Sequence, residues 1–329
     1  MDAPAAKGYR GGRYPISPAA SAVYDECVAQ IKLNWQSKLV LLLVLPFAGA
    51  DLVIQAHGWL EFYWPAAVWT LGLSLILGAV VLKLRAATPV AAFAGAAITA
   101  CLIFSTATFS PIGAFPYSPW HTALLPLLAL VGLTFLSTRL GRKRKEILGT
   151  AERRQGRTAA QVAANLGVAA MASSGFVQSW LIESGWIRAA VYTPAILLAL
   201  PLAALAEAAA DTVSSEIGQV LGGQPRMITT LRRVEPGTDG GVSLIGTLAG
   251  VAAAGIVAAV GAWALGGGPL VLWISAAGGV FGLFFDSLLG ATLERRGWLN
   301  NDAVNFLSTA SAAAFALGIL ALLPHPGVG

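Results

Sequence analysis

Apolar residues run through this chain in long blocks separated by short polar breaks. Crossing a bilayer takes about 20 apolar residues in a helix. Blocks of that order lie near 39–56, 64–82, 88–109, 119–138, 161–182, 189–216, 242–265, 270–293 and 303–323. The pattern therefore predicts nine membrane-spanning helices, the first weakened by Pro46 and Asp51. Ahead of it, Tyr24, Val28, Ile31 and Trp35 recur every three to four residues, while Asp25, Glu26 and Lys32 fall elsewhere on the wheel. That spacing predicts an amphipathic helix over 19–38, either lying on the membrane surface or extending the first span. Residues 1–18 are polar and rich in Gly and Pro, which predicts disorder. They carry no apolar core followed by a cleavage site, so they do not read as a signal peptide. The transmembrane unit is expected over 39–323, with a short tail over 324–329.

Composition agrees. Hydrophobic residues make up 56% of the chain, charged residues only 11%, and the mean hydropathy is +0.71. Soluble domains carry about 25% charged residues. In a polytopic protein the net charge of +5 bears first on topology. With nine spans and a cytoplasmic N-terminus, every Lys and Arg except Arg188 falls on the cytoplasmic side. We therefore expect an all-α integral membrane protein, N-terminus inside and C-terminus outside. Cys27 and Cys101 are too isolated for a disulfide framework or a metal motif. His57, His121 and His325 fall outside, apart from each other and from the acids, and read as interfacial. The run Gly266-Gly267-Gly268-Pro269 lacks the Lys-Ser/Thr of a phosphate-binding loop and reads as a tight turn.

Carboxylates inside apolar runs mark functional sites, because burying them is costly. Glu207 and Asp211, four residues apart, share a helix face in the sixth span, and Glu216 follows near its cytoplasmic end. Asp286 lies in the eighth span and Glu294 near its exit. The ninth opens with Asn300, Asn301 and Asp302, and Asn305 follows one turn in. The fifth opens with Gln161 and Asn165 on one face. The loop after the sixth span carries Arg226, Arg232 and Arg233 and then Gly237, Gly240 and Gly241. Asp211 with 240–243, and Asp286 with 301–305, share one layout, as in a weak internal repeat.

Carboxylates beside arginines and open glycine backbone suit a divalent cation and phosphates. Phosphoryl transfer asks the protein for positioning and charge neutralisation more than for covalent chemistry. Asp211, Glu216, Asp286 and Asp302 are the candidate Mg²⁺ ligands. The same acids would also serve proton coupling in a transporter. Arg232 and Arg233 also read as topology determinants. Asp51 reads as interfacial, and the basic stretch over 139–157 as solvated and facing lipid headgroups.

The blocks GRTAAQVAANLG, ADTVSSEIG, PRMITTLRRVEPGTDGGVSLIGTLAG and FDSLLGATLERRGWLNNDAVNFLST occur in this order. Over roughly residues 60–323 the chain resembles an integral membrane family, the domain of unknown function 92. That family includes the phytyl-phosphate kinase of vitamin E synthesis and the transmembrane protein 19 group. The resemblance implies a kinase that converts an isoprenyl monophosphate, phytyl or polyprenyl phosphate, to the diphosphate. The co-substrate would be a nucleoside triphosphate, CTP ahead of ATP, with Mg²⁺ at the cytoplasmic face. It carries the acid and asparagine motif onto Asp211, Glu216, Asp286, Asn301, Asp302 and Asn305. The loop motif falls on Arg226, Thr229, Thr230, Arg233, Gly237, Gly240 and Gly241. Val213 stands where Trp is expected, and Phe284-Phe285 where smaller residues are expected; both departures bear on the shape of the isoprenyl pocket and leave specificity for phytyl open.

On this basis Asp211 and Asp286 are expected to hold Mg²⁺, with Glu216 and Asp302 in support. Arg226 and Arg233 would clamp the triphosphate, and Asn165 and Asn305 would contact substrate. Expected partners are an isoprenyl phosphate lipid, a nucleotide and membrane lipids, with no nucleic acid; an oligomer is left open. The expected location is a bacterial inner membrane. Two alternatives are a transporter or flippase for a lipid phosphate and a CTP-dependent nucleotidyltransferase acting on one.

Overall fold

The computed structural model describes residues 18–107, 118–150, 156–187 and 194–323. The expected disordered N-terminus, Arg188 and the tail with His325 lie outside the described residues, apart from Pro18. Ten α-helices account for nearly all of the described chain: α1 (Pro18–Lys83), α2 (Pro89–Thr106), α3 (Leu124–Arg139), α4 (Arg142–Leu148), α5 (Ala159–Ser173), α6 (Gly175–Glu183), α7 (Ala199–Leu221), α8 (Leu244–Ala264), α9 (Gly268–Leu289) and α10 (Asn301–Leu322). By length and composition, six of the described helices are able to cross a membrane, or eight if each of two bent pairs forms one span. The helical membrane architecture expected from the pattern is present.

The first helix doubles back. A straight helix of 66 residues would be about 100 Å long, far beyond a bilayer. Ser37 Oγ donates to Asp302 at the start of α10, and Ala87, just beyond α1, bridges to Arg157 just before α5. Arg157 donates to Thr212 of α7, and Asn301 at the α10 start shares a cavity with Asp211 of α7, so α5 and α10, in contact through Thr309 and the Ala164 carbonyl, begin at the same end of the bundle. Residues 37 and 87 therefore lie at the same end of the bundle. Asp51, between them, accepts from Ser174 at the far end of α5. The reversal is at Tyr63, whose φ of −156° and ψ of 81° leave the helical region. Pro65 explains the place: it lacks an N–H and its ring crowds the carbonyl four residues back, yet it suits the first turn of a new helix. Pro46 is accommodated without a break. The backbone over 19–38 continues into α1; its side chains as far as Leu33 lie outside the described residues.

Asp51 is not interfacial. It is 3% exposed and accepts from Cys101 Sγ (2.9 Å), Ser105 Oγ (3.3 Å) and Ser174 Oγ (2.9 Å). Ser174 is also where the fifth apolar run breaks. α5 and α6 meet there at 55°, and a Ser-Gly pair with its hydroxyl drawn to Asp51 is a local cause. The triple glycine, with Gly266 and Gly268 at positive φ, makes the turn between α8 and α9, as expected.

α7 is the axis. It begins after a 3₁₀ turn at Pro194–Leu198, and every residue from Ala199 to Ala210 is buried. Its inner face is mostly alanine, and neighbouring backbones come close: a Cβ on Gly250 of α8 would lie 2.8 Å from the Ala210 carbonyl. Small residues give membrane helices this dispersion contact in place of a hydrophobic drive. The loop after α7 is not wholly irregular. β1 (Arg226–Met227) pairs antiparallel with β2 (Gly241–Val242), and Ile228 N donates to Gly240 O at 3.0 Å.

Candidate active site

Where α7 and α9 emerge at the end of the bundle carrying Lys83 and Arg157, a cavity of about 240 Å³ opens under the 222–243 loop. α7 contributes Asp211, Ser214 and Ser215, and α9 contributes Asp286 and Ser287. α10 adds Asn301 and Asn305, and the loop adds Gly237, Gly240 and Gly241. Asp211 and Asp286 lie within hydrogen-bonding reach of each other across the α7–α9 contact. One turn deeper, Glu207 is 1% exposed. Ser308 of α10 lies against both Glu207 and Asp286.

This arrangement is electrostatically incomplete. Glu207 Oε1 and Asp286 Oδ2 are buried with no hydrogen-bond partner. Carboxylates so placed cost several kcal/mol each unless a cation or proton compensates them. From α7's other side the Arg157 guanidinium acts on Asp211. Among the described residues no group of three or more His, Cys, Asp or Glu forms a metal cage. Mg²⁺ does not require one: it keeps waters and takes one or two carboxylates together with substrate phosphates. The Asp211–Asp286 pair, with one open oxygen, fits that requirement.

Local structure explains why these residues converge. Ser243 caps α8 by accepting from Gly246 N, and Asn300 caps α10 by accepting from Ala303 N. Both helix starts therefore turn free backbone N–H groups toward the same region. Gly240, at φ +72°, presses on the end of α9; a Cβ there would lie 2.4 Å from the Ala291 nitrogen. A π-helical turn at Gly290–Glu294 rotates Glu294 back to the cavity wall. Asp239, Gln219 and the Ser214-Ser215 pair also line it. Sequence reasoning noted Glu294 without giving it a role. The π turn that brings it round has no sequence signature.

Several expected residues lie elsewhere. Glu216 forms an ion pair with Lys145 of α4; the lysine side chain is 1% exposed and that of the glutamate 14%. This overturns the headgroup-facing reading of 139–157 at Lys145 and leaves Glu216 with a different partner from Mg²⁺. Asp302 Oδ2 accepts from Ser37 Oγ at 2.6 Å and does not line the cavity. With Gln36 donating to the Trp298 carbonyl, it fastens α10 to α1. Asn165 donates to the Gln161 carbonyl at 2.8 Å and lines a different cavity. Arg226 donates to the Leu231 carbonyl of its own loop at 3.0 Å. Arg226, Thr229, Thr230 and Arg233 are exposed and line neither described cavity, so the expected triphosphate clamp is not assembled.

A family model described as "Integral membrane protein DUF92" matches residues 72–313. An uncharacterised membrane protein of Methanocaldococcus jannaschii is 44% identical over 108 residues, 33% of this chain and 45% of that protein. The chain thus spans less than half of that relative's length. An uncharacterised membrane protein of Synechocystis is 33% identical over 191 residues, 55% of this chain and 67% of its own. The chloroplastic protein VTE6 of Arabidopsis thaliana is 26% identical over 257 residues, 77% of this chain and 71% of its own. No solved structure matches the chain.

Proposed function

Starting from the integral membrane family DUF92, to which this chain belongs, we propose that it is a membrane-embedded kinase of an isoprenyl monophosphate. The reaction forms the lipid diphosphate from a nucleoside triphosphate, CTP ahead of ATP. An oxygen of the lipid phosphate bonds to the γ-phosphorus, the bond to the β–γ bridging oxygen breaks, and the nucleoside diphosphate leaves. The acceptor is already ionised at neutral pH, so no strong general base is needed. The observation that carries this reading is the Asp211–Asp286 pair with its unpartnered buried oxygen, under a glycine loop and between two capped helix starts.

Asp211 and Asp286 would hold Mg²⁺, which when bound neutralises charge on the transferring phosphates. The backbone N–H of Gly240 and those at the α10 start orient phosphate oxygens, while the Gly241 N–H, donating to the Thr238 carbonyl, holds the loop in shape. Asn301 and Asn305 offer neutral contacts, and the loop packs its Gly240 against Ala291 beside the acids. Nine passes with a cytoplasmic N-terminus belong to this reading; the doubled α1 supports the count, and the site then faces the cytosol.

The test is product identity. Purified protein is incubated with farnesyl or phytyl monophosphate, Mg²⁺ and each of CTP, ATP, UTP and GTP. Lipid diphosphate with nucleoside diphosphate is expected. Pyrophosphate release would make the protein a nucleotidyltransferase. No product from folded protein would turn attention to proton-coupled flux.

A further inference from the structure

A second cavity lies on another flank of α7, and the acidic site does not use it. It encloses about 450 Å³ between the second arm of α1, α2, α3 and α5, with Ala208 of α7 at its inner wall. Cavities of roughly 300–1,000 Å³ are typical of small-ligand sites. Its lining changes along its length. At the end of the bundle where α1 and α3 finish, it is lined by Arg85, Arg139, Arg142, Lys145 and Arg157. Deeper, the lining is mostly apolar, with Val81, Ala96, Leu130 and Val162, and Thr99, Thr134 and Asn165 as its polar members. No carboxylate lines it.

The basic mouth is held in place from several directions. Arg85 stands at φ +55°, a conformation that residues with side chains adopt only where the surroundings impose it. Arg139 Nη2 donates to the Leu84 carbonyl at 2.9 Å, and its guanidinium lies 4.6 Å from the centre of the Phe135 ring. The backbone of Arg157 is stitched to the same turn: its N–H donates to Ala86 O, and Thr88 N donates to its carbonyl, both at 3.0 Å. Lys145 spends its three N–H groups on Ser137 O, Thr138 O and Glu216. It therefore anchors α4 and leaves ligand contacts to the arginines. Arginine forks suit phosphate oxygens in pairs, while the apolar depth suits a hydrocarbon chain.

We propose that this groove binds a single-chain lipid monophosphate, its phosphate among Arg85, Arg139 and Arg157 and its isoprenyl chain along α2 and α3. The further statement that it is the acceptor site rests on the kinase reading; the binding itself does not. The two cavities meet at α7. Ala208 faces the groove and Arg157 donates to Thr212 Oγ1 at 3.4 Å, while Asp211 and Ser215 face the acids. α7 is the wall they share, and Arg157, which lines the groove and acts on Asp211, stands at its edge, the place where a lipid phosphate and a nucleotide phosphate would meet.

Binding of farnesyl monophosphate to purified protein, without nucleotide, tests this by native mass spectrometry. The double variant Arg85→Gln/Arg139→Gln is expected to weaken binding at least tenfold by removing the mouth. Ala96→Phe is expected to do the same by filling the depth. Asp286→Asn should bind as wild type. Farnesol should bind at least tenfold more weakly than farnesyl monophosphate, and equimolar inorganic phosphate should not displace it. Wild-type affinity in both groove variants, with melting temperatures retained, would overturn the proposal. So would equal displacement by a diacyl phosphatidic acid, which would make this a phospholipid headgroup site. Binding lost in the groove variants, with no turnover in wild type for any nucleotide, would sustain the groove and remove the kinase. Turnover with unchanged binding in the groove variants would do the reverse.

Discussion

The two cavities flanking α7 are opposites in charge and in completeness. The acidic one is small and polar and has buried oxygens with no partner. The basic one is larger, apolar for much of its depth, and its lysine is fully engaged. The first suits a cation and the second suits an anion. A lipid phosphate bound beside a metal-chelated nucleotide would supply both at the helix they share. The difference also separates two uses of a buried acid: Glu216 has its lysine and is structural, whereas Asp286 has an open oxygen and is available for chemistry.

The substitution expected to break this contrast most severely is Asp286→Asn. It should lower turnover about a thousandfold, roughly 4 kcal/mol of transition-state stabilisation, while lipid binding and insertion persist. Mass spectrometry of the diphosphate would read it, with EDTA on wild type giving the same loss. Next is Lys145→Met, which strands Glu216 in the interior. Breaking a buried pair costs about 3–5 kcal/mol, visible as a lower melting temperature. Lys145→Met/Glu216→Gln should recover most of it. Gly240→Val puts side-chain atoms against Ala291 at positive φ, a strain of about 1–3 kcal/mol. Turnover should fall as the loop lifts, with groove binding unchanged. Asp302→Asn weakens a charge-assisted bond to Ser37 and a favourable charge at the α10 start, together about 1–2 kcal/mol. Thermal stability should drop with turnover within a few-fold of wild type. Arg226→Ala should do least, leaving the nucleotide KM within about twofold, because that side chain serves its own loop.

Much of the acidic site is legible from the chain. Asp211 and Asp286 stand out because carboxylates are rare in apolar runs, and Gly237, Gly240 and Gly241 because glycines cluster before a helix. The helices from α7 onward fall close to the apolar runs that predict them. What is not legible depends on partners distant in sequence. Nothing near Glu216 announces Lys145, 71 residues earlier. Nothing near Asp51 announces Cys101 and Ser174, so a buried acceptor reads as interfacial. Arg226 and Arg233 look like phosphate ligands because arginine in a polar loop usually finds anions. The small ribbon between β1 and β2 turns them outward instead. The groove is hidden for a further reason: its walls are small apolar residues from four helices, indistinguishable in sequence from ordinary packing.

The most direct test of the shared-helix account replaces Mg²⁺ with Mn²⁺ and records the ³¹P relaxation of bound farnesyl monophosphate. Strong paramagnetic broadening is predicted in wild type, and its loss in Asp286→Asn while the lipid stays bound. Bound lipid and bound Mn²⁺ with no broadening would place the two ligands too far apart for transfer and contradict the account.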